Sequence, residues 1–125
     1  MIDFANGVFV KLKQTSPQDG MNMVQGLLIQ GESIVSAYKG IRDYVIFTNK
    51  RVISVNVQGM TGKKKDYTSL PYAKITAFSV ETAGAFDLDG ELDLWFSGLG
   101  HVRFEFSGRC DIVQIGQMIA SYALR

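Results

Sequence analysis

The sequence predicts a mainly β domain: a bent antiparallel sheet of seven strands closed by a C-terminal helix, with a short helix near the N-terminus. Three observations carry this. From Glu32 onward, runs rich in Val, Ile, Tyr, Phe and Thr alternate with turn residues about every eight to twelve positions, the mark of an antiparallel meander. The segment 110–125, "CDIVQIGQMIASYALR", changes to helical periodicity. The 125 residues contain only two prolines and no repeat or low-complexity tract, so they make one domain, which at this size hides roughly two-thirds of its unfolded surface.

The elements follow in order. Residues 1–30 read as an N-terminal helical extension. Ser16 is placed to cap a helix with Pro17 at its first position, and Met21, Val24 and Leu28 recur at helical spacing. A seven-strand meander then occupies 31–108: "ESIVSAYKG", "DYVIFTNK", "RVISVNVQG", "KKDYTSL", a turn opened by Pro71, "ITAFSVET", "ELDLWFS" and "HVRFEFS". The last two alternate most cleanly. Leu92, Leu94 and Phe96 share one face, as do Val102, Phe104 and Phe106, while Glu91, Asp93, Trp95, Arg103 and Glu105 take the other. A three-residue turn at 98–100 would set Trp95 opposite Arg103. The closing helix, 109–125, carries Ile112, Ile115, Ile119 and Tyr122 on one stripe, and Asp111 with Gln114 forms a capping-box pattern.

Composition excludes several function classes. Thirteen Lys plus Arg against twelve Asp plus Glu leave a formal charge of +1, too little for sequence-independent binding of nucleic acid. A single cysteine, Cys110, rules out an intrachain disulfide and the multi-thiolate zinc patterns, which fits a reducing cytoplasm. The segment "MIDFANGVFVKLK" lacks the basic start and long apolar middle of a signal peptide, and no run approaches the ~20 apolar residues of a membrane span.

The order of elements, together with "IRDYVIFTNKRVI", "QGMTGKK" and "ETAGAFDLDGEL", resembles the bacterial pleckstrin-homology-like domain family over most of the chain. The resemblance implies a pleckstrin-homology-like bent barrel of seven strands with a C-terminal helix, a cytoplasmic setting, and homo-oligomers that close as rings, five-fold among them. It implies no established activity. By fold analogy, eukaryotic pleckstrin-homology domains hold phosphoinositides on basic residues of their first two strands and the intervening loop. Here that loop is "YKGIRD", which offers only Lys39 and Arg42 and is short for such a pocket.

Two clusters of opposite sign stand out. In "QGMTGKKKDYTSLPY", residues 58–72, Gly59 and Gly62 precede Lys63, Lys64 and Lys65. A phosphate loop needs four residues between its glycines and a Ser or Thr after its lysine, and neither is present. The glycines instead turn a hairpin, whose lysines keep a strand margin soluble or meet an anion or a partner. In "ETAGAFDLDGELD", Asp87, Asp89, Glu91 and Asp93 recur at every second position and line one face if the segment is extended throughout. A calcium loop starting at Asp87 would need glycine at Leu92 and glutamate at Gly98, so no metal is expected. The acidic stripe fits a subunit interface, complementing the lysines of a neighbouring copy.

No catalytic set assembles. His101 is the lone histidine, on the outer face of a hairpin, and Cys110 lies beside Asp111, which opposes thiolate formation. The sequence reading is a non-enzymatic binding or assembly module without a cofactor: a cyclic homo-oligomer with a protein-interaction role and an unknown protein partner. The alternative is an anionic ligand or membrane headgroup held by Lys63, Lys64 and Lys65, with Lys39 and Arg42.

Overall fold

The computed structural model describes residues 1, 3–4, 9–82, 89–108 and 110–124. In chain order the elements are β1 (Phe9–Thr15), α1 (Pro17–Val24), β2 (Ile34–Lys39), β3 (Asp43–Thr48), β4 (Arg51–Gln58), β5 (Lys64–Pro71), a 3₁₀ turn (Tyr72–Lys74), β6 (Ile75–Glu81), β7 (Gly90–Phe96), β8 (Gly100–Phe106) and α2 (Ile112–Ala123). The expected seven strands are β2 to β8. They form one mainly β sheet with a C-terminal helix, in the order β5-β4-β3-β2-β1-β8-β7-β6.

The eighth strand, β1, corrects the reading of 1–30 as purely helical. It is inserted between β2, to which it runs antiparallel, and β8, to which it runs parallel. The reason it escapes periodicity is local. Phe9 and Leu12 are both fully buried in the core although three positions apart, because the register shifts between them and Lys11 adopts φ of 54°. A bulge thus replaces the two-residue alternation by which strands are recognised.

The sheet bends until its two halves share one core: Val45, Phe47, Val52 and Leu70 of β3 to β5 pack in the same cluster as Leu92, Leu94, Val102, Phe104 and Phe106 of β7 and β8. The margins β5 and β6 are not hydrogen-bonded to each other, so the sheet is not a closed barrel. The 3₁₀ turn spans that corner, and α2 packs against the turn, β6 and β7. Asp111 caps α2 by accepting from Gln114 N–H at 3.1 Å, and Ile112, Ile115 and Ile119 face the core, as their spacing predicts. Small residues let the helix approach: a Cβ on Gly90 would lie 2.9 Å from Ile112 Cβ.

Helix α1 begins where expected, with Ser16 Oγ accepting from Asp19 N–H at 3.0 Å and Pro17 in its first turn. It covers the outer face of β2 to β4 and builds a second core cluster from Val24, Ala37, Tyr44, Ile46, Ile53 and Val55. In the connection after it, Glu32 has a fully buried side chain that accepts from Arg51 Nε and from Thr48 Oγ1, tying the α1–β2 connection to the β3–β4 turn. Burial alone would raise this carboxyl. The hydrogen bonds from Arg51, Thr48 and the Ile29 N–H outweigh it and hold Glu32 below the usual carboxylate range.

Candidate functional site

The two short loops β2–β3 and β4–β5 come together at one end of the sheet. Their strands meet there by register: Asp43 opposes Asn56, and Gln58 opposes Lys64. Gly40 N–H donates to the Asp43 carbonyl at 2.7 Å and closes the first loop. In the second loop Gly59 and Gly62 both have positive φ, 78° and 67°, the conformation that glycine adopts without steric cost. The Arg42 guanidinium donates from Nη2 to the Gly59 carbonyl and so ties one loop to the other.

This contact joins the sequence-predicted cations into one group. Lys39 ends β2 with its Nζ 5.5 Å from the centre of the Tyr44 ring, Arg42 bridges the loops, and Lys63, Lys64 and Lys65 lead into β5. Among the described residues no carboxylate forms an ion pair with any of the three lysines. The nearby acids are engaged elsewhere: Asp43 accepts from the Asn56 amide at 2.8 Å, and Asp66 accepts from Thr68 Oγ1 at 2.8 Å. The two loops also carry the most exposed large apolar residues among those described, Ile41 at 82% and Met60 at 104%. Sequence reasoning missed these two. The available signal is an apolar residue beside glycine and basic residues in a turn too short to bury it, as in "GIRD" and "GMTGKKK".

The acidic stripe is only partly as expected. Asp87 lies outside the described residues, and Asp89 precedes β7. Glu91 and Asp93 do share the outer face of β7, but Asp93 is 4% exposed and engaged within the chain. Its Oδ1 accepts from Arg103 Nε at 2.8 Å and lies 2.5 Å from His101 Nε2. The expected Trp95–Arg103 pairing is corrected accordingly. The hairpin loop is 97–99 rather than 98–100, so Phe96 pairs with Gly100, Trp95 with His101 and Asp93 with Arg103. Trp95 stacks on the His101 ring at 4.8 Å between centroids. His101 is exposed, as a surface residue should be, but it is held between an indole and a carboxylate.

Three glutamates form the cross-strand row that the sequence did not reveal: Glu81 opposes Glu91 on β7, which opposes Glu105 on β8. Burial raises the Glu91 carboxyl, Glu81 and Glu105 raise it further, and Arg103 opposes the effect. Among the described residues no group of three His, Cys, Asp or Glu side chains is placed to hold a metal ion. Cys110 is half-buried; burial pushes its thiol up to about 11 and Asp111 adds to this, so it is a poor nucleophile near neutrality. No helix among the described residues is long and apolar enough to cross a membrane.

Comparison with known proteins gives this architecture a family. The model of the bacterial PH (pleckstrin-homology) domain matches residues 3–123. The chain is 45% identical over 100 residues to an uncharacterized protein, YjqA, of Bacillus subtilis (strain 168), covering 78% of this chain and 80% of that one. A crystal structure of a DUF1696 family protein with a pleckstrin-homology domain from Shewanella loihica PV-4 superposes with a TM-score of 0.80 at 40% identity, covering 92% of this chain and 99% of that one. A pleckstrin homology domain from Shewanella amazonensis SB2B superposes with a TM-score of 0.68 at 42% identity, covering 89% and 90%. The fold with its terminal helix and the near full-length match agree, and the chain belongs to the bacterial PH domain family.

Proposed function

We propose that this protein is a non-enzymatic binding module whose working end is the joined β2–β3 and β4–β5 loops, and that this end holds anionic groups. One observation carries the reading: the Arg42 to Gly59 contact gathers Lys39, Arg42, Lys63, Lys64 and Lys65 at one end, with the three lysines unpaired with carboxylates among the described residues. Cations gathered in this way attract anions in proportion to their number, and salt screens the attraction. Calorimetric titration with inorganic tripolyphosphate is the test. Binding at low salt should weaken as salt rises and vanish in a variant with Lys63, Lys64 and Lys65 changed to Glu. A wild type that binds no tripolyphosphate at low salt overturns the reading.

A second reading, a cyclic homo-oligomer with a protein-interaction role, is favoured by a different observation. The lysine hairpin lies on the β5 margin of the sheet, whereas the row Glu81, Glu91 and Glu105 lies towards the β6 margin. A head-to-tail contact sets one margin of each copy against the opposite margin of the next, and repeated around an axis it closes a ring. Asp93 contributes little to such a contact, since Arg103 and His101 already engage it, and the row Glu81, Glu91 and Glu105 supplies the charge, with Glu91 shared with Arg103 at 3.5 Å. Light scattering on a sizing column should then give a single multiple of 13.8 kDa that dissociates with salt. A monomer at all salt concentrations removes this reading and leaves the first intact.

A further inference from the structure

We infer that the β6 margin of the sheet takes an extended segment of a partner protein as a ninth strand, with apolar side chains laid against the flank of α2 and a basic side chain beside Glu81. This goes beyond both readings above, and the lysine hairpin belongs to the other margin. The two margins are guarded differently. β5 carries Lys64, Lys65 and Pro71, residues that discourage a further strand from pairing. β6, "ITAFSVE", has no lysine, arginine or proline, and Glu81 at its end is its only charge. After the bulge between Ile75 and Ala77 it pairs regularly with β7 over 77–81, and among the described residues these positions make no other backbone hydrogen bond. The N–H and C=O groups on the open side of β6 are therefore left for a partner.

The helix beside this margin suits the same occupant. Phe78 and Val80 point inward, opposite Leu94 and Leu92, yet both are only half-buried. Ile112 of α2 meets β7, where a Cβ on Gly90 would lie 2.9 Å from its own Cβ, and Gly116 meets β6, where a Cβ would lie 3.0 Å from Val80 Cγ1. At about 100° per residue, the side of the helix next in turn carries Val113, Gln117 and Ala120, over the place a ninth strand would fill. Val113 is 52% exposed, and α2 contains no charged residue from Ile112 to Ala123, although the outward side of a surface helix ordinarily carries charge. The β5 of a second copy cannot supply the apolar side chains, because Leu70 and Thr68 on its inner side are already buried within their own subunit. An extended segment with free side chains can. Its alternate apolar residues meet Phe78, Val80 and Val113, and on the outer face a lysine or arginine beside Glu81 extends the row Glu81, Glu91 and Glu105 with the opposite charge. Strand addition of this kind draws affinity from the main chain and selectivity from alternate side chains.

The experiment is selection from a display library of random linear peptides on the wild-type protein, followed by fluorescence titration of the peptide that binds best. The selected sequences should alternate apolar residues with polar ones and carry a lysine or arginine among the polar positions. On binding, amides within 77–81 should become protected from hydrogen exchange. Val113→Asp lies in the first turn of α2, where an acid is tolerated, and should weaken the peptide by about tenfold or more, since it sets a carboxylate against apolar side chains. Glu81→Lys should invert the preference between the selected peptide and a counterpart with Glu in place of its basic residue. The inference is overturned if no alternating peptide is selected, if a form N-methylated along its backbone binds as tightly, or if Val113→Asp binds like the wild type. Binding only at salt concentrations that first dissociate an oligomer also overturns it, and gives this margin to a second copy. The loop-end reading stands or falls by the tripolyphosphate titration alone.

Discussion

The strands β2 to β5 and the strands β6 to β8 come from one meander, yet they are covered differently. In the first group the central strands are buried on both faces: Val45, Phe47 and Val52 face the common core, while Ile46, Ile53 and Val55 lie beneath α1. In the second group α2 serves the inner side, and the outer face shows Ala77, Trp95 and His101, then Ser79, Asp93 and Arg103, then Glu81, Glu91 and Glu105 in successive cross-strand rows. The difference shows how a strand's sequence reports its cover. A run such as "DYVIFT" is apolar on consecutive positions because a helix lies over it, whereas "ELDLWF" alternates because water does.

That contrast can be broken at graded cost. Ile46→Ala, on the outer side of β3, should destabilise by about 2–5 kcal/mol, since it opens a cavity under α1. Ser79→Ala, at an outer position of β6, should stay within about 0.5 kcal/mol. Denaturant unfolding of the two variants measures the asymmetry directly, and equal effects would mean that α1 does not protect its face. Next in size is Gly20→Val. A Cβ there would sit 2.8 Å from Ala37 Cβ, so the helix must lift, at a cost of about 1–3 kcal/mol. Pairing it with Ala37→Gly should recover part of the loss, which a double-mutant cycle reads as coupling.

The two halves should also respond oppositely to acid. Glu32 has its carboxyl lowered by its hydrogen bonds in the helix-covered half, so its contribution to stability is present above the ordinary carboxylate pKa and is lost as pH falls through the lowered one. Glu32→Gln should cost about 1 kcal/mol at neutral pH and flatten the acid limb of the stability profile. Glu91 is raised in the open half, so its contribution is full below the ordinary carboxylate pKa and lost as pH rises through the raised one. Glu91→Gln should therefore gain a few tenths of a kcal/mol over wild type at neutral pH, by relieving the like-charged row. That gain should disappear as the pH falls and Glu91 takes up its proton. Stability curves of both variants from neutral to acid pH check the signs, and a shared sign would contradict the assigned environments.

Much of the fold was legible because its causes are local. Alternation marked β7 and β8, the Ser16 and Asp111 caps marked both helix starts, and the spacing of Ile112, Ile115 and Ile119 marked the buried stripe of α2. Each depends on neighbours a few residues apart, which a single sequence displays. The candidate cations at Lys39, Arg42, Lys63, Lys64 and Lys65 were legible for the same reason, as charges beside turn-forming glycines.

The tertiary structure decided what joins distant segments. β1 was hidden by the bulge at Lys11 and is a strand only because β2 and β8 supply hydrogen-bonding partners on its two sides. The register of the 97–99 hairpin moved Arg103 from Trp95 to Asp93, because one residue of loop placement shifts every opposing pair. The Arg42 to Gly59 bond, seventeen residues apart in the chain, made two separate basic loops into one surface with Ile41 and Met60 at its front. Sequence period records which face of a strand or helix is apolar. Which faces and loops then meet depends on sheet order and bend, set by contacts far apart along the chain.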